Sequence, residues 1–206
     1  MSLAARSDTR LLAYFALLSL IATGCGIAAM VLSGTPQMRW IPNVIVWVLG
    51  GGAAFAIART APSSRVWIGI ALGALALVAA TLVGPDQQGV HRWLAAGPLF
   101  VNIASLTLPA AIVAMARLGA QHRLVPIIAT LLAAILALQP DASQAFALAL
   151  AGFAILVTDK RISALVTALC LFGIAALSLL RADPLQPVPE VEQIIQLAHA
   201  SAPALA

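Results

Sequence analysis

Charge is what this chain has least of. Only 9% of its 206 residues are Asp, Glu, Lys or Arg, against about 25% in a soluble globular domain. So few charges cannot cover a water-facing surface, which excludes an ordinary soluble fold. Cysteine occurs twice, and Cys25 and Cys170 both fall inside apolar runs. That excludes a disulfide framework and a cysteine-based zinc site, and both thiols are expected to be buried. There is no P-loop, no dinucleotide glycine fingerprint, no internal repeat and no His/Cys cluster of zinc spacing. His91, His122 and His199 stand in separate loops, so no metal and no other cofactor is expected.

What is there is apolar. Hydrophobic residues make up 62% of the chain and the mean hydropathy is +1.03. Crossing a hydrocarbon core of about 30 Å takes about 20 apolar residues in a helix. The expected fold class is therefore all-α, a polytopic transmembrane helix bundle of about seven spans. The formal charge of +4 comes from eleven Lys and Arg. They are scattered between apolar runs rather than gathered on one face, so they read as topology signals and no nucleic-acid partner is expected.

The spans are expected near residues 11–32, 40–58, 66–83, 98–116, 124–138, 143–157 and 162–180. Residues 1–181 then form the bundle and 182–206 an extracytoplasmic tail. Ala22-Thr23-Gly24-Cys25 has the look of a lipoprotein cleavage box, but the apolar run continues to Leu32, so the first span is retained. In the second, Trp40 is an interfacial anchor and Pro42 falls in the first turn, where a missing donor costs least. Gly50-Gly51-Gly52 presents a face without side chains, for close helix approach or a substrate groove. Gly69 and Gly73 offer a packing face on the third span. The fifth span is short enough that its exit at Gln139-Pro140-Asp141 can lie below the membrane surface.

Loop charges orient the bundle. Alternate ends carry Arg6 with Arg10, Arg59 with Arg65, Arg117 with Arg123, and Lys160 with Arg161, whereas the opposite ends carry only Arg39, Arg92 and Arg181. Basic loops face the cytoplasm, which puts the amino terminus inside and the carboxyl terminus outside. The tail opens with the proline-broken Asp183-Pro184-Leu185-Gln186-Pro187. Apolar residues at 188, 191, 194, 195 and 198, with Pro189, Glu190 and Glu192 ahead of most of them, predict a short amphipathic helix on the outer surface or over the bundle mouth. Residues 200–206 are expected to fray.

Two polar breaks share the outer face and hold the candidate residues. In Gly89-Val90-His91-Arg92-Trp93-Leu94-Ala95-Ala96-Gly97-Pro98, Arg92 and Trp93 read first as an interfacial anchor. The functional reading is that Arg92, with His91 beside it, binds phosphate, because a guanidinium matches phosphate bidentately. In Gln139-Pro140-Asp141-Ala142-Ser143-Gln144-Ala145, Asp141 reads first as the cap of the sixth helix, and as a functional carboxylate if it is submerged. Glu190 and Glu192 suit a helix amino terminus, or one of them serves as a general base.

Taken together, the breaks resemble those of the SEDS family (shape, elongation, division and sporulation), the membrane-embedded peptidoglycan polymerases. Gly89, Arg92, Trp93, Leu94, Gly97 and Pro98 follow the order of the family's loop before its fourth helix. Leu138-Gln139-Pro140-Asp141-Ala142-Ser143-Gln144-Ala145 is similar to its Leu-Gln-Pro-Asp-Leu-Gly-Thr-Ala signature. The likeness covers helices one to seven of a longer fold. It implies a bacterial inner-membrane protein that binds an undecaprenyl-pyrophosphate-linked sugar, with Arg92, Trp93, His91 and Gln139 as substrate-binding residues. Glu192 or Asp141 would be the catalytic carboxylate of a glycosyltransferase. Departures from the pattern leave activity open. Asn102-Ile103-Ala104-Ser105 and Leu108 stand where the family has a Glu and a Lys, and Pro189-Glu190-Val191-Glu192 matches the family's acidic segment only with a deletion. A non-catalytic relative that binds membrane lipid, a lipid-linked precursor or a membrane protein partner fits equally. The alternatives are a small transporter or channel subunit, with Asn102 and Pro109 in a broken helix, or a scaffold subunit of a larger complex.

Overall fold

The computed structural model describes residues 3–60, 62–97, 99–181, 183–186 and 193–201. The chain is mostly helical and divides into two compact units, Met1–Ala61 with Gln186–Ala206, and Pro62–Leu185. Three helices are long and apolar enough to cross a membrane. They are Ala13–Leu32, Gln37–Ile57 and Ser64–Val83, with mean hydropathies of 2.2, 1.7 and 2.4. Four shorter apolar helices follow.

In the first unit, α1 (Leu3–Leu32) ends in a Schellman turn. Thr35 N–H donates to Met30 O and Gly34 N–H to Val31 O, with Gly34 at φ +74°. A left-handed residue is needed there and glycine carries no Cβ penalty. Pro36 then ends any continuation, and α2 (Gln37–Thr60) begins. This start is earlier than the expected 40, so Pro42 sits past the first turn, where its missing N–H removes a helical bond. Trp47 Nε1 donates to Ser19 Oγ at 3.1 Å and ties α2 to α1. The tail helix, α8 (Ile194–Ser201), packs against α1 and buries Ala198. The expected helix start at 188–192 lies outside the described residues.

The second unit holds α3 (Ser64–Ala80, prolonged by a 3₁₀ turn at Thr81–Val83), α4 (Ile103–Leu118), α5 (Leu124–Leu138), α6 (Ala142–Leu156) and α7 (Ile162–Ser178). Its core is a set of stripes at helical spacing, such as Trp67, Ala71, Ala74 and Val78 on α3 and Val125, Ile128, Ala129, Leu132, Ala133 and Leu136 on α5. Alanine supplies thirteen of the twenty-five residues of the core cluster, so the backbones can approach closely. Gly152 marks the tightest approach: a Cβ there would lie 2.5 Å from Leu171 Cδ1 across the α6–α7 contact. The glycines singled out from spacing behave differently. Gly50, Gly51, Gly52, Gly69 and Gly73 have nothing within 4 Å of an added Cβ, so none of them is a close contact. Cys170, expected to be buried, is exposed on α7, and Cys25 is half-buried. Their runs are apolar on all sides, so hydrophobicity alone does not separate an inward face from an outward one.

The largest departure is at residues 98–102. Helix was expected from 98, but Leu99–Asn102 is strand β2, paired antiparallel with β1 (Trp93–Ala96). Gly97, at φ +62°, reverses the chain between them. The hairpin pairs the facing backbone groups of the two strands. Asn102 then starts α4, its side chain accepting from Ser105 N–H at 3.1 Å. Because α4 runs unbroken through Pro109, Asn102 and Pro109 do not form the broken-helix site that a transporter would use.

Candidate functional site

One end of the second unit gathers the carboxyl ends of α3, α5 and α7 and the amino ends of α4 and α6. A helix ending at such a place leaves its last carbonyls without intrahelical donors. At the end of α5 two arginines supply them. Arg181 Nη1 donates to Leu138 O at 2.8 Å, Arg92 Nε donates to Gln139 O at 3.1 Å, and Arg92 Nη2 donates to Pro140 O. Positive charge is also favoured there by the helix dipole.

Arg92 is delivered by a folded loop. After α3, Gln87 and Val90 pair around Gln88 and Gly89, whose φ values of +55° and +83° make a tight reverse turn in which glycine fits best. Asp86 Oδ1 accepts from Gly89 N–H. Gly84 is required by contact rather than by φ. A Cβ on it would lie 2.6 Å from Trp93 O, so the loop closes on itself only with glycine there. His91 Nδ1 lies 3.3 Å from Gly84 O. Arg92 is the next residue, and its own carbonyl accepts from Ile103 N–H at the foot of the hairpin.

Two carboxylates face the guanidinium. Asp141 Oδ2 lies 3.7 Å from Arg92 Nε, the side chains being 6% and 11% exposed. Its Oδ1 accepts from Gln144 N–H and Ser143 Oγ, so Asp141 caps α6. Asp183, on the connector after α7, places Oδ2 2.8 Å from Arg92 Nη2 and is 41% exposed. Gln139 completes the cluster on its inner side. Its Nε2 donates to Thr81 Oγ1 and lies 3.4 Å from Val78 O, which ties the end of α5 to that of α3. On the rim, Gln144 Nε2 donates to Ser105 Oγ at 3.1 Å and links α6 to α4.

Of the residues expected from sequence, the fold brings Arg92, Gln139 and Asp141 into contact. His91 and Trp93 flank Arg92 along the chain but bond within their own loop and hairpin. Glu192 lies outside the described residues. Asp141 Oδ1 takes two hydrogen bonds that hold the start of α6, and its Oδ2 stands at ion-pair distance from Arg92, so the carboxylate positions both. Sequence reasoning did not place Asp183, Thr81 or Arg181 in the site. Arg181 and Asp183 carried a local signal, as charged residues within the first turn beyond an apolar run, whereas Thr81 lies inside the expected third span and carried none.

The opposite end carries Arg65, Arg117, Arg123, Lys160 and Arg161, all exposed. One acid stands among them. Asp159 accepts from Arg161 Nε at 2.7 Å and from Arg161 N–H at 3.1 Å, and Arg161 Nη2 reaches Ala120 O. The side-chain hydrogen bond from Arg161 holds the Asp159 carboxyl below its ordinary range, against the opposing effect of desolvation.

Among the described residues no group of three or more His, Cys, Asp or Glu is arranged to hold a metal ion. The guanidinium cluster is suited to a different task, recognition of an oxyanion by fixed N–H donors. Compared with protein-family models, with curated proteins and with solved structures, the chain matches none of them.

Proposed function

We propose that this chain is a multi-pass inner-membrane protein of the bacterial cell envelope whose Arg92 end binds the pyrophosphate of a lipid-linked glycan precursor without polymerising it. The carrying observation is the contact between Arg92 Nη2 and Asp183, a carboxylate far more exposed than Asp141. An anion that is open to water at the guanidinium marks where a phosphate oxygen would sit. The likeness of the two polar breaks to those of SEDS polymerases supplies the ligand class. The commitment of Asp141 to its helix supports binding over catalysis.

In this reading all seven apolar helices lie in the membrane, with the hairpin end outside. At about 1.5 Å per residue the 15 residues of α5 reach about 22 Å, short of a core of about 30 Å, and the polar cluster sits at the level where that helix stops. Single cysteines at Gln88 and Gln121, in a chain with Cys25 and Cys170 replaced by Ala, report the topology. A membrane-impermeant maleimide should label position 88 from outside and position 121 only after permeabilisation.

The binding test uses purified protein in nanodiscs titrated with undecaprenyl pyrophosphate. Saturable binding that is lost in Arg92→Ala and weakened in Arg92→Lys supports the site. Lysine keeps the charge but loses the planar fork. Absence of saturable binding by the natural sequence refutes it. A scaffold role is the second reading, favoured by the unoccupied Gly50-Gly51-Gly52 face of α2. It predicts a stoichiometric membrane partner in a detergent pull-down, lost on Gly51→Leu.

A further inference from the structure

Arg92 is nearly inaccessible as it stands. Two backbone carbonyls at the end of α5 accept from its Nε and Nη2, the buried Asp141 lies 3.7 Å from Nε, and Asp183 on Nη2 is, at 41%, the more exposed of its two acids. An anion that bonds Nη2 from the solvent takes the place of Asp183. Its Oδ1 accepts from Leu185 N–H at 3.1 Å, so the carboxylate is presented by a local turn. Two residues earlier, Arg181 pins the same connector to Leu138 O at the end of α5. The strap is therefore attached at two points, by Arg181 to the end of α5 and by Asp183 to Arg92.

We infer that Asp183 is a built-in competitor for the Arg92 site, a carboxylate strap that closes the site and is displaced when a diphosphate binds. This rests on the reading of Arg92 as an anion site. Its consequence is that ligand occupancy and the position of the connector after α7 are linked. Carboxylate and phosphate compete for the same N–H donors, and a diphosphate, with more charge and more acceptor oxygens, has the advantage in the exchange. By linkage, a ligand that binds only the open strap loses affinity by the fraction of time that the strap is closed. Removing the competing charge restores it.

The test uses the full-length protein in nanodiscs of phosphatidylcholine, titrated in parallel with inorganic pyrophosphate and with undecaprenyl pyrophosphate. Hydrogen exchange of the peptide spanning 181–186 is read with and without saturating ligand. Asp183→Asn should tighten binding of both probes by about two- to fivefold, the range of a partly exposed ion pair. Asp86→Asn removes an equal charge from the same end without touching Arg92, and should tighten binding less. In the natural sequence, saturating ligand should speed exchange across 181–186. Equal effects of the two substitutions, or saturable binding with unchanged exchange, would overturn the strap and leave the anion site standing. Failure of both the natural sequence and Asp183→Asn to bind either probe would overturn the site, and the strap with it. Binding of inorganic pyrophosphate alone supports the strap while assigning the ligand to the aqueous phase.

Discussion

An arginine–aspartate pair stands at each end of the α3–α7 unit, and the two are built in opposite ways. At the hairpin end the arginine is 11% exposed against 41% for Asp183, and the backbone carbonyls it bonds lie 47 and 48 positions away along the chain. At the basic end the aspartate is the buried partner, 3% exposed against 56% for Arg161, and the pair is made two residues apart. The first pair joins three connections of the fold, before β1, between α5 and α6, and after α7. The second shapes one loop. Burial of the cation against carbonyls lets Arg92 satisfy a helix end and two acids together, and it makes the first end sensitive to any change of its centre. The second end presents its other cations to solvent and depends on no single one of them.

That contrast is most easily broken at Arg92. Arg92→Ala leaves Asp141 without its cation and uncaps the end of α5, and should lower stability by about 3–5 kcal/mol, the cost of removing one partner of a buried pair. Thermal unfolding in detergent measures this, with Arg161→Ala as the comparison at the other end. An equal loss in both variants would mean that the hairpin end is not the more dependent one.

Gly84→Ala is expected to come next. Its Cβ meets the Trp93 carbonyl, which is backbone and cannot move aside, so a loss of about 1–3 kcal/mol is expected. At Gly152 the obstacle is the tip of the Leu171 side chain. Gly152→Ala should therefore cost less than Gly84→Ala when both are melted side by side.

Gln139→Leu tests the link between α5 and α3 while keeping bulk. Loss of its bond to buried Thr81 should cost about 1–2 kcal/mol, and Thr81→Val in the same background should restore part of it, since both polar partners are then gone.

The smallest expected effect belongs to Asp159. Its carboxyl is held below the ordinary value of 3.8, so its contribution is fully present above that value. It disappears as the pH falls through the lower folded-state value. Between pH 5 and about pH 3 the melting temperature of the natural sequence should fall slightly more than that of Asp159→Asn. A steeper fall in the variant would contradict the assignment.

Helix positions were readable because each is a continuous apolar run bounded by polar or turn-forming residues, a property of the segment alone. The expected span at 124–138 coincides with α5, and the sixth and seventh differ from α6 and α7 by a residue or two. The fourth failed at its start because Leu99, Phe100 and Val101 are as apolar as any helix, and only the pairing with β1 shows them to be strand. Caps were readable from residue type, as Asp141 shows. Contacts of Arg92 were not, since its partners lie tens of residues away in the chain and meet it only where three loops converge.

By itself the sequence determined that this is a helical chain with segments apolar enough for a membrane, where the polar interruptions fall, and which short side chains cap the helices that follow them. These are local properties, decided by hydrophobicity, length and the chemistry of a few neighbouring residues. Only the tertiary structure decided that Arg92 and Arg181 cap the same helix, that Asp183 closes the guanidinium, and that Gly84 and Gly152 rather than the glycine triplet are the close contacts. Those depend on which helix ends lie side by side, and an apolar segment with similar residues on every face carries too little information to choose its neighbour.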